Sequence, residues 1–134
     1  MSEADEARSR VAIALDAAER VVSRLPQRSR TYERARKALA DARKWAEGEA
    51  IPARQLYDHI HPLTELAEDD GLMGREVPAF NAVLYALYYV TWHADGEEAA
   101  RNDRDRATLG NDICEVNESV FDRCLAYAEE AERP

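Results

Sequence analysis

At 134 residues, 46% hydrophobic and 34% charged, the chain has the length of one globular domain (residues 1–134) and a composition outside the disordered class. Its formal net charge of −9 argues against nucleic acid as a partner and for a basic protein. The charge is uneven: residues 1–48 carry 11 Lys/Arg and 8 Asp/Glu, a net of +3, while residues 49–134 carry 7 and 19, a net of −12.

Ser2 is placed to cap a first helix, with Glu3, Asp5 and Glu6 opposing the helix dipole in its first turn. Val11, Leu15, Ala18, Val22 and Leu25 recur at steps of three and four, an amphipathic stripe. Pro26 should end that helix near Arg24. Ser29 or Thr31 starts a second helix whose inward face is Ala35, Ala38, Leu39, Ala42, Trp45 and Ala46, closed by Gly48. Pro52 suits the first turn of a short third helix carrying Leu56, Tyr57 and Ile60, which Pro62 interrupts. From Leu63 to Leu72 the spacing allows another turn or two before an acidic loop broken by Gly71 and Gly74.

Pro78 opens the most apolar helix, expected from Pro78 to Ala94, with Asp95-Gly96 as a turn. Phe80, Val83, Leu84, Leu87 and Val90 form one side, and Tyr85, Tyr88, Tyr89 and Trp92 extend the apolar surface nearly all round, the pattern of a central helix. Glu97–Asp105 reads either as frayed helix or as exposed connection. A last helix is expected from Asn111 or Asp112 to about Glu130, with Ile113, Val116, Val120, Cys124 and Tyr127 inward. No period-two alternation is sustained anywhere. The expected fold is all-α, a single-domain bundle of about five helices, with Trp45 and Trp92 mostly buried in it.

Residue types that carry chemistry are sparse. His59 and His61 are two apart and point to different sides of a helix. His93 and Glu97 have helical spacing but make only one pair, so no metal and no cofactor is expected. Cys114 and Cys124 lie ten residues apart on one expected helix, roughly 15 Å, too far for a disulfide. No nucleophile turn or glycine-rich phosphate loop occurs, and no enzymatic activity is expected. The acidic start and the short apolar run Ala82–Trp92 suggest neither a secretory signal nor a membrane span, which reads as a cytoplasmic setting.

Two surface features remain. Acidic clusters occur at Glu65-Glu68-Asp69-Asp70, at Glu97-Glu98, at Glu115-Glu118-Asp122 and near the end at Glu129-Glu130-Glu132. The first three are the candidate binding residues for a basic protein. A basic stretch, Arg28 to Lys37, offers the alternative of a helical regulator or nucleic-acid-associated protein.

The order and spacing of several short motifs carry a resemblance. They are Ala38-Leu39, Lys44-Trp45-Ala46-Glu47, Gln55-Leu56-Tyr57-Asp58, Asp70-Gly71-Leu72, Phe80-Asn81-Ala82, Tyr88-Tyr89-Val90-Thr91-Trp92 and Ile113-Cys114-Glu115-Val116. From Tyr32 to Leu125 the chain resembles immunity protein six, a family of all-α immunity proteins from bacterial polymorphic-toxin systems. Pro78 and the arginine-rich segment Arg101–Arg106 depart from that pattern. The resemblance implies a cytoplasmic inhibitor that binds and neutralises a cognate toxin, often a nuclease, through non-covalent contact.

Overall fold

The structure, a computed structural model, describes residues 2–103, 105 and 119–133. Helix α1 spans Glu3–Val21, and the Ser2 hydroxyl accepts from Asp5 N–H at 3.1 Å as its cap. A single 3-10 turn, Val22–Arg24, ends it, and Leu25 is extended ahead of Pro26 as the proline requires. Helix α2 spans Arg30–Ala46. Ser29 is its cap, accepting from Tyr32 N–H at 3.1 Å, while Thr31 is buried inside the first turn. Gly48, at φ +104°, turns the chain away from its end.

Helix α3 is a single short stretch, Ala53–Tyr57, and α4 runs from Ile60 to Asp70. Here the structure corrects two expectations. Pro62 lies in the first turn of α4, where backbone N–H groups have no intrahelical partner, so it breaks nothing. The acidic segment Glu65–Asp70 is helix and not loop, and it stops only at Gly71, which takes the left-handed conformation at φ +62°.

Helix α5 spans Glu76–Arg101 and is longer at both ends than its pattern suggested. Pro78 sits in its first turn, again without loss. At the far end the helix runs through Asp95-Gly96 because tertiary contacts hold its final turns. Ala94 and Ala99 are buried, and Glu97 and Glu98 are both bonded to other helices. A glycine within a helix costs only about 1 kcal/mol against alanine, less than those contacts restore. Glu97 to Arg101 are therefore helical, and the helix closes with Asn102 N–H on Glu98 O at 3.0 Å. The last described helix, α6, spans Ser119–Glu132. Its expected start at Asn111 or Asp112, with Ile113, Cys114 and Val116, lies outside the described residues.

Among the described residues, five long helices and the short α3 make an all-α bundle with no strand. Helix α5 is central and packs against α1, α2, α3, α4 and α6. Leu87, Tyr89, Val83 and Val90 lie fully inside it. Alanines admit close neighbours: Cys124 of α6 is buried with its Sγ 3.3 Å from Ala82 O and 3.6 Å from Ala14 O. Burial pushes that thiol up to about 12, with only a small opposing pull from Arg20. Trp45 is buried at 3% exposure, and Trp92 is half-buried, less enclosed than Trp45.

Candidate interaction surface

Along α4 the inward positions are Ile60, Leu63 and Ala67. Three- and four-residue steps then put His61, Glu65, Glu68 and Asp69 together on the opposite face, and all four are exposed. His61 Nε2 pairs with Glu65 Oε1 at 2.8 Å, an exposed pair that contributes little to stability.

Both ends of α4 are tied to α2. Just before its start, buried His59 lies with Nε2 2.7 Å from Asp41 Oδ2. Burial pushes the Asp41 carboxyl up, but hydrogen bonds from His59 and Gln55, with the nearby charges of His59 and Lys44, outweigh it and hold the group below its usual range. An ionised carboxylate only accepts, so His59 Nε2 carries the proton. At the other end, Asp70 Oδ2 accepts from Thr31 N–H at 3.2 Å and from the Thr31 hydroxyl. The acidic face is therefore presented on a helix pinned at each end.

The other acidic candidates fall elsewhere. Arg8 of α1 grips Glu97 with two nitrogens, at 2.8 and 2.9 Å, while its Nε donates to Trp45 O and its guanidinium lies 4.5 Å from the centre of the Trp45 ring. Glu98 Oε1 accepts from Ala53 N–H at 2.8 Å and so caps α3. Both carboxylates are engaged between helices. They also sit about 30 Å along α5 from Val77, at the rise of 1.5 Å per residue. Asp122 is exposed on α6, which packs on α1 and α5. Glu115 and Glu118 lie outside the described residues. Of the nine candidates, the structure gathers Glu65, Glu68 and Asp69 into one exposed face and gives Asp70 a structural task at its edge.

The family model described as Immunity protein Imm6 matches residues 9–130, most of the chain. The chain belongs to that family. Among curated proteins and solved structures nothing matches it.

Membership makes this a toxin immunity protein, and the remaining surface can be judged as that of an immunity protein. Its basic stretch is partly absorbed into the fold. Arg34 is half-buried, whereas Arg28, Arg30, Arg36 and Lys37 are exposed, the Arg36 guanidinium 5.7 Å from the Tyr32 ring centre. A cleft of about 370 Å³ between α1 and α5 is lined by Glu3, Ala4, Ala7, His93, Gly96, Glu97 and Ala100. With Glu97 held by Arg8, it brings no nucleophile and base together. Among the described residues no three His, Cys, Asp or Glu side chains are grouped to hold a metal ion. No described helix is long and apolar enough to cross a membrane.

Sequence reasoning passed over Met73 and Val77, which are 75% and 43% exposed in the stretch that follows α4. The signal was present: Leu72 and Met73 stand between Gly71 and Gly74, where an apolar residue has no helix stripe to join.

Proposed function

We propose that this immunity protein neutralises a basic toxin, a nuclease being the expected kind, by occupying it in the cytoplasm of the producing cell, and that it performs no chemistry itself. The exposed face Glu65-Glu68-Asp69 is the observation that carries this reading. Three carboxylates on a pinned helix present a fixed negative field to a cationic surface and steer its approach. Asp122 would extend the negative surface on α6, and Glu115 and Glu118, the rest of that cluster, lie outside the described residues. Glu97 and Glu98 contribute to the field while holding the helices together.

The test uses the product of the gene adjacent to this one, as expected for a polymorphic-toxin locus. Co-expression of the chain should protect a host from that product. The triple reversal Glu65→Lys, Glu68→Lys, Asp69→Lys should slow association and flatten its dependence on salt, since such charges are screened over about 8 Å at physiological ionic strength. Unchanged association would reduce the face to a solubility feature. Failure to bind or protect, with salt-dependent DNA binding through Arg28, Arg30 and Lys37 instead, would replace the toxin reading with a nucleic-acid one.

A further inference from the structure

The turn between α4 and α5 displays apolar side chains that the fold does not use. Among the described residues, Met73 and Val77 are two of the three large hydrophobic side chains left exposed; the third, Ile13, stands alone on α1. A single exposed aliphatic is ordinary for a soluble protein, but Met73 and Val77 stand only four residues apart on one short stretch. Leu72, half-buried, continues the same stretch.

The turn is built, not slack. Gly71 and Gly74 take φ values of +62° and +58°, which a side chain would resist. Met73 N–H donates to Glu76 Oε1 at 2.9 Å, and Glu76 N–H returns to Met73 O at 3.1 Å. Val77 N–H bonds Gly74 O at 3.3 Å. A segment fixed in this way loses little freedom when it docks.

We infer that Met73 and Val77 are the apolar anchor with which this chain seats in a pocket on a basic protein surface. This rests on the toxin reading above and names the contact that would hold the complex together. Charge selects the occupant. From His61 to Val77 the chain carries Glu65, Glu68, Asp69, Asp70 and Glu76 against one permanent cation, Arg75. Three residues of chain span at most about 11 Å, so Met73 stands at a distance from Asp70 comparable to the screening length of about 10 Å at 0.1 M salt. A second copy meeting this patch about a two-fold axis would set the acidic face against itself. Nucleic acid and anionic lipid are repelled by the same carboxylates. A cationic protein with an apolar recess satisfies both halves of the patch.

The two halves should separate kinetically. With the adjacent gene's product as probe, Met73→Ala should speed dissociation roughly 10- to 100-fold, the effect of withdrawing one buried side chain. Association should stay near the parental rate. Glu68→Lys should do the reverse. Benzoylphenylalanine at position 73 should crosslink to the probe, and at position 13 it should not. Parental complex formation with unchanged dissociation of Met73→Ala and Val77→Ala, and no crosslink from position 73, would overturn the anchor and leave the toxin reading standing. Absence of any complex with the parental chain would overturn both. Because both side chains are exposed, unaltered thermal unfolding of the alanine variants verifies that any change arises at the contact.

Discussion

Removing Trp45 tests how α1, α2 and α5 are held together. The indole is 3% exposed and stands under Arg8, whose guanidinium is 4.5 Å from its centre and which also binds Glu97. Truncating a buried aromatic of this size costs about 3–5 kcal/mol. A cation over the ring adds about 0.5–2 kcal/mol, towards the upper end where water is excluded. The side chain of Arg8 is only 18% exposed, so a double-mutant cycle of Trp45→Ala with Arg8→Met should recover a coupling in that range. Domains of this kind are stable by about 5–15 kcal/mol, so the single variant should remain folded but weakened. At a urea sensitivity of about 2 kcal/mol per molar, its midpoint should fall by about 2 M when followed by circular dichroism. Trp92→Ala, at a half-buried site, should lose roughly half as much. A Trp45→Ala loss below about 1 kcal/mol, or no coupling to Arg8, would refute the packing argument.

The pairs that pin α4 give a pH-dependent expectation. Asp41 titrates lower in the folded state than its ordinary 3.8. Its contribution is therefore present above about pH 4 and is lost as pH falls through the folded value. Asp41→Asn should be less stable than the parent by about 1–3 kcal/mol at pH 7, with the gap closing on acidification; a gap constant from pH 7 to pH 2.5 would count against the His59 pairing. Asp70→Ala, which strips the partner from Thr31, should also cost about 1–3 kcal/mol, whereas the triple reversal at Glu65, Glu68 and Asp69 should shift unfolding by less than about 1 kcal/mol, both read by urea titration. In a Cys114→Ser background, Cys124 should resist an aromatic disulfide reagent at pH 8 until urea unfolds the chain, because a thiol raised to about 12 carries almost no thiolate; rapid labelling of the native protein would show that the α1–α5–α6 junction opens.

Much of the architecture was legible because burial repeats with the helical period. The inward residues of α2, from Ala35 to Trp45, and the all-round apolar character of α5 follow directly from spacing and identify the central helix. Helix ends were legible where a local device sets them, as at Ser2, Ser29 and Gly48. They were misread where a residue that breaks helices in general sits where it does no harm. Pro62 occupies a first turn, and Gly96 is carried by the contacts of its neighbours.

The surface was less legible, for a different physical reason. Whether a carboxylate is left to meet a partner depends on cations and amides far away in sequence. Glu97 is engaged by Arg8, 89 residues distant, Glu98 by Ala53, 45 residues distant, and Asp70 by Thr31, 39 residues distant. Counting acids weights all of them equally, and the fold then withdraws these three from the surface unequally. The same asymmetry hid Met73. Pattern reading assigns apolar residues to the interior, yet that rule runs in one direction only, since much of any folded surface is apolar. What distinguishes Met73 is its place on a turn fixed by two left-handed glycines and a carboxylate cap, next to an acidic face whose charges are not engaged between helices. Long-range steering and short-range seating thus converge on the same end of α4, and that convergence, more than the net charge, is the reason to look for the toxin there.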